Sequence, residues 1–126
     1  MKWKAVGVAT LTLAALVYLQ LILGGAMLLH HAEPTWVSEA WEDAHMSLGH
    51  SIWFIAIVPA VLLWRLKPPS PTLRVGGLTL VVLSFINTIF AVQGPWGSIA
   101  VMAAHGLTAG LIFAVAVALT VAALKE

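Results

Sequence analysis

Four long stretches of the chain, residues 5–29, 44–64, 75–92 and 98–124, contain no aspartate, glutamate, lysine or arginine. About 20 apolar residues suffice to cross the hydrocarbon of a bilayer as a helix. Backbone amides in hydrocarbon must find their partners within the segment, which leaves helix as the expected conformation of each stretch. Only 9% of the 126 residues are charged, against about a quarter in a soluble domain. Four transmembrane helices in one domain spanning 1–126 are therefore predicted. The first stretch follows Lys2 and Lys4, as the apolar part of a signal peptide would. It is longer than such a region and lacks a clean small-residue cleavage site before His30, so a retained helix is expected.

Charge sets the expected topology. Under a four-span reading all six basic residues, Lys2, Lys4, Arg65, Lys67, Arg74 and Lys125, fall on one side, and Glu33, Glu39, Glu42 and Asp43 fall on the other. Basic residues collect on the cytoplasmic side, so both termini are expected there, in a multi-pass protein of the cell membrane. Trp3 and Trp64 would mark the inner interface, and Trp36, Trp41 and Trp96 the outer one. The proline-rich "RLKPPSPTLR" and the "QGPWGS" turn are short, which makes successive helices antiparallel neighbours. The predicted fold is an all-α, up-down-up-down four-helix bundle. With no cysteine there are no disulfides or thiolate ligands. A net charge of +1 gives no reason to expect nucleic acid as a partner.

Depth separates the five histidines. His45 lies twenty residues before Arg65, and His105 twenty before Lys125. At ~1.5 Å per residue both imidazoles stand about 30 Å from the inner anchors, at the outer edge of the hydrocarbon. Two histidines at one height on alternate helices are what a bis-histidine haem requires, with the macrocycle lying between the helices. Gly49, one turn beyond His45, and Gly106, Ala109 and Gly110 around His105 would leave room for a flat ring. His50 is about 140° around the helix from His45, in a different sector, where packing or a subunit contact is expected. His30 and His31 stand where the first helix leaves the membrane, as solvated interface residues or as contacts to haem propionates.

Gln20 and Gly24 in the first helix recur as Gln93 and Gly97 at the end of the third, both as Q-x-x-x-G. Ala44-His45 and Ala104-His105 each reach a basic residue twenty positions after the histidine. Together they suggest two pseudo-repeated helical hairpins, each giving one ligand. Small-xxx-small patterns also serve plain helix packing, and a lone histidine can simply hydrogen-bond a neighbouring helix. Ionisable groups at membrane depth are costly, which favours a functional role, for His105 in particular.

"LQLILGG" in the first helix, Glu42-x-x-His45, Q-x-x-x-G at Gln93 and "AAHG" around His105 resemble the haem A synthase family, in the half-length form known among archaea. That family oxidises a methyl group of haem O to the formyl group of haem A, usually with two similar four-helix bundles. The resemblance implies that His45 and His105 are axial ligands and that Glu42 serves turnover. It also implies that Gln20, Gly24, Gly49, Gln93, Gly97 and Gly106 surround the haem. The cofactor would be b-type haem, or haem O and haem A as substrate and product. A second copy of the chain would complete the assembly, with a quinone or other electron acceptor as a further partner. Gly76, Gly77, Ser84 and Asn87 on the third helix are the expected contacts between copies.

The chain departs from the family's pattern in three places. Met46 stands where arginine often follows the first ligand, Leu28 stands where arginine often follows the paired glycines, and the outer-loop cysteine pair is missing. These departures favour a second reading, a non-catalytic transmembrane cytochrome b or haem carrier, whereas Glu42 favours the enzyme. A dihaem quinone oxidoreductase would need a second histidine pair near the inner face, where the sequence has none.

Overall fold

The computed structural model describes residues 2–32, 39–66, 70–93 and 98–126. They form four helices: α1 Lys2–Ala32, α2 Glu39–Leu66, α3 Pro71–Gln93 and α4 Ile99–Lys125. The first three extend past both ends of the apolar stretches that predicted them, and α4 is offset by one residue from its own. Apolarity marks only the part suited to hydrocarbon, while the backbone hydrogen-bond ladder continues into polar sequence. The extension of α2 back to Glu39 makes Glu42 a helical residue, one turn before His45. At the start of α3, Ser70 Oγ accepts the Thr72 N–H at 3.2 Å and the Ser70 carbonyl accepts the Leu73 N–H at 3.2 Å. Pro71 follows at the first helical position, where its missing N–H costs nothing. Ser98 precedes α4 with extended backbone, and its carbonyl accepts the Val101 N–H at 2.9 Å.

Contacts along the helices give their directions. Thr10 of α1 meets Thr120 of α4, and Tyr18 of α1 stacks near Phe113 of α4. Gly77 of α3 lies against Leu63 of α2, and Trp53 of α2 against Phe85 of α3. Gly76 of α3 faces Leu119 of α4, while the Asn87 carbonyl meets His105. In each pair one residue number rises as the other falls, so neighbours are antiparallel. Helices α1 and α2 then also run oppositely. Among the described residues α1 packs beside α2 and α4, α3 packs beside the same two, and no Cα atoms of a diagonal pair come within 8 Å. The result is the expected up-down-up-down ring. This register gathers Lys4, Arg65, Arg74 and Lys125 at one end and puts Glu42 and Asp43 at the other. Of the residues used for topology, Glu33, Trp36, Lys67 and Trp96 lie outside the described residues, as do the side chains of Lys2, Leu28, His30, His31 and Glu39.

The basic end is the packed end. Val6, Leu13 and Val17 of α1, Ala56 and Leu63 of α2, Leu80 of α3, and Ile112 and Ala116 of α4 form one continuous buried cluster. Hydroxyl groups in the helices bond within their own segment. Thr10, Thr79, Thr88, Thr108 and Thr120 each donate to the carbonyl one turn earlier at 2.6–3.0 Å. Thr120 also approaches Thr10 across the α1–α4 contact, with 2.8 Å between hydroxyl oxygens. The outer faces carry large apolar side chains, among them Val8, Leu11, Phe54, Leu78, Val82 and Leu107. All four helices are long and apolar enough to cross a membrane.

The residues expected to join copies of the chain point the other way. Gly77, Ser84 and Asn87 are buried inside the bundle, and a Cβ at Gly76 would lie 2.8 Å from Leu119 of α4. Small residues let two helices approach closely, and here they do so within one bundle.

A Cβ added at Gly77 would meet Leu63 Cδ1 at 2.9 Å and the Ala60 backbone at 3.2 Å, whereas one at Gly110 meets nothing within 4 Å. Gly77→Ala is expected to destabilise the bundle by about 1–3 kcal/mol through overpacking. Gly110→Ala is expected to be neutral or stabilising by up to about 1 kcal/mol, since alanine is the better helix former. Thermal unfolding of the two variants in mild detergent checks this; equal effects would refute the close α2–α3 contact.

Candidate functional site

Above the packed half the same four helices stop filling the space between them. Positions facing the bundle axis become Gly24 on α1, Gly49 on α2, and Gly106 and Ala109 on α4, and a cavity of about 630 Å³ opens there. That is within the roughly 300–1,000 Å³ of ordinary ligand sites. Glu42, His45 and His50 of α2, His105 of α4, and Thr88 and Phe90 of α3 complete much of its wall. Three thioethers, Met27, Met46 and Met102, line it as well.

His45 and His105 reach toward each other from α2 and α4, a diagonal pair of helices. Their ring centres are 6.2 Å apart and the ring planes cross at 77°. An ion ligated by one nitrogen of each ring, with bonds of about 2 Å and roughly 1 Å from each nitrogen to its ring centre, sets the centres about 6 Å apart. The separation fits a shared metal. Among the described residues no three of His, Cys, Asp and Glu cluster as a metal-ion cage. Two axial imidazoles suffice when a macrocycle supplies the remaining ligands.

Hydrogen bonds orient the imidazoles. The Nδ1 of His105 lies 3.2 Å from the Asn87 carbonyl oxygen. A carbonyl only accepts, so the proton is on Nδ1 and Nε2 keeps a free lone pair, the usual arrangement of a metal-ligating histidine. His45 is held by its backbone: Gln20 Nε2 donates to the His45 carbonyl at 2.8 Å. Its Nδ1 is buried with no partner. Two glycines make this arrangement possible. A Cβ at Gly49 would stand 2.8 Å from Gln20 Nε2, and one at Gly24 would stand 3.0 Å from His45 Cε1. At Gly106 a Cβ would meet nothing within 4 Å, because that position faces open space.

The structure thus brings together Gln20, Gly24, Glu42, His45, Gly49, His105 and Gly106 around one cavity. Gln93 is not with them: it is exposed at the C-terminal end of α3, past Ala91, and does not line the cavity. Its supposed counterpart Gln20 sits well inside α1, so the Q-x-x-x-G repeat occupies different heights in the two hairpins. Gly97 lies outside the described residues. His50, expected in another sector, also lines the cavity, and its Nδ1 donates to the Met46 carbonyl at 2.7 Å. The cavity is broad enough to take in both sectors of α2. Asn87, which anchors His105 through its carbonyl, carries no sequence signal for that role, since any residue type offers a backbone oxygen.

No protein-family model, curated protein or solved structure matches this chain. What the site can do therefore rests on its own geometry.

Gly24→Ala is expected to push the His45 ring aside, because the added methyl lands against its Cε1. The ring-nitrogen resonances of His45 in ¹⁵N NMR should shift while those of His50 stay in place. Unmoved His45 resonances would mean the two helices do not meet as described.

Proposed function

We propose that this chain is a multi-pass membrane protein that holds a haem between His45 and His105. The observation that carries the reading is the 6.2 Å separation of the two imidazoles across a large, mostly apolar cavity. In this reading the basic end of the bundle faces the cytoplasm and the cavity lies towards the extracytoplasmic side of the cell membrane. His45 and His105 hold the iron. Gly24, Gly49 and Gly106 leave the space the macrocycle takes, and the apolar wall excludes water from its faces.

The proposed activity is oxidation of the methyl group of haem O to the formyl group of haem A, as in the haem A synthase family. Bound haem supplies the one-electron chemistry that no side chain here can perform. Converting methyl to formyl takes one oxygen atom from water and releases four electrons and four protons. The electrons pass to an acceptor outside the chain, such as a quinone. Glu42 lines the cavity one turn from His45, and its carboxylate takes up protons at the reacting edge. A second reading, a non-catalytic cytochrome b or haem carrier, is favoured by Met46, which gives the cavity wall a thioether where the family often has arginine.

His45→Ala and His105→Ala are each expected to abolish the reduced α-band or convert the haem to high spin. Wild-type spectra in both would refute the ligand assignment. Glu42→Gln should keep haem content and spectrum while formyl product falls about a hundredfold or more. The measurement is chromatography of haems extracted after co-expression with a haem O-producing partner. If the wild type itself yields no oxidised product, the carrier reading replaces the enzyme.

A further inference from the structure

The seam between α1 and α4 loses its side chains where it passes the cavity. Lower down, Tyr18 and Phe113 close it, with ring centres 6.0 Å apart. About one turn further along, Leu21 stands at the level of Gly110, and about two turns from the aromatic pair come Gly25 and Gly106. Seven residues return to nearly the same side of a helix, so both glycines lie on the seam that Tyr18 and Phe113 define. Each of the two lines the cavity, and each is exposed. A Cβ added at Gly25, Gly106 or Gly110 would meet nothing within 4 Å. Glycine weakens a helix relative to alanine, and no close packing within the bundle accounts for these three.

The other seams differ at this height. Between α1 and α2, Gly24 and Gly49 are tight against His45 and Gln20. Between α3 and α4 the Asn87 carbonyl meets His105. On the α2–α3 side His50, Thr88 and Phe90 line the cavity with side chains of their own.

We infer that the gap at Gly25 and Gly106 is a side opening through which the ligand of the cavity extends a long apolar tail into the surrounding lipid. The inference rests on the haem reading and narrows the kind of haem to one with an alkyl or isoprenoid tail, which haem O has and haem B lacks. Both glycines fall within charge-free stretches, 5–29 and 98–124, at a level where a spanning bundle meets hydrocarbon. A polar substituent leaving there would lose its water without compensation. An apolar one stays in hydrocarbon, whereas an exit from the outer end of the bundle would put it in water. The rim suits such a tail. Leu21 lines the cavity at its lower edge, and Ile22 and Leu107 beside the glycines present exposed apolar side chains. Without a Cβ on either side, the tail lies directly against both backbones.

Gly25→Leu and Gly106→Leu fill the gap from either helix, and the free space at both positions lets the variants fold. The full chain, purified without haem in mild detergent, is titrated with haem B and with haem O while absorbance is recorded. Wild type is expected to bind both. Each variant should hold haem B within about threefold of wild type and bind haem O about tenfold more weakly or worse. Unchanged haem O binding overturns the inference, and so does an equal loss of both haems, which would mean that leucine merely fills the cavity. A wild type that binds neither haem overturns the haem reading itself and the tail with it. Native mass spectrometry adds a further check: a dimer that Gly106→Leu converts to monomer would assign the seam to a second copy and overturn the tail. Because the sequence has no cysteine, Gly106→Cys carries a single nitroxide in lipid. Oxygen, which concentrates in hydrocarbon, should broaden its spectrum more than a water-soluble nickel chelate does; the reverse order would mean an opening to water and would refute the proposal.

Discussion

Helices that are apolar on every side cannot use hydrophobicity to tell inside from outside. In a soluble bundle the oily stripe marks the core, but here Leu11, Phe54, Leu78 and Val82 face outward while Leu13, Leu63 and Leu80 face inward. What separates the faces is size and polarity. Gly76 and Gly77 allow α3 to approach α4 and α2, and Thr10 and Thr120 meet across the α1–α4 contact. Gln20, Ser84 and Asn87 are all inward. Packing and buried polar groups drive the association of such helices, since their apolar surfaces gain nothing by exchanging lipid for one another. Every other feature of the bundle, including its register and its cavity, depends on this sorting.

The same constraint explains what was legible in the sequence. The four helices were, because a charge-free stretch of such length has few alternatives. Their ends were not, since the transition from apolar to polar sequence is where hydrocarbon stops, not where helix stops; α2 begins at Glu39, five residues before its apolar stretch. The meeting of His45 and His105 was legible because both could be counted from a basic anchor, which gives height directly. Angular position was harder to read. Without an oily stripe to orient α3, Gly76, Gly77, Ser84 and Asn87 read equally well as an outer contact face and as the inner one they form. Gln93 shared a motif with Gln20 but not its height, and the motif alone could not reveal that.

The two halves of the bundle show why the cavity is more than loose packing. In the lower half Leu13, Leu63, Leu80 and Ile112 fill the axis completely. In the upper half Gly24, Gly49, Gly106 and Ala109 line the cavity instead. The Gln20–His45 hydrogen bond ties α1 to α2 at this level and the Asn87–His105 contact ties α3 to α4, one on each side of the cavity.

Within the haem reading, the same geometry restricts where chemistry can occur. His45 and His105 would hold the group from two helices, and a bound haem would supply the redox chemistry. The chain's own part would be to take up the protons released. A side chain that does so has to line the same cavity and carry a proton acceptor. Among the carboxylates with described side chains, Glu42 is the one that lines the cavity, a single turn from His45. A carrier would gain nothing from an acid at that point, because a carboxylate near haem propionates raises the electrostatic cost of binding. The position of Glu42 therefore bears on the choice between enzyme and carrier more directly than the absent arginines do, since those bear on how the group is held and Glu42 bears on what can be done to it.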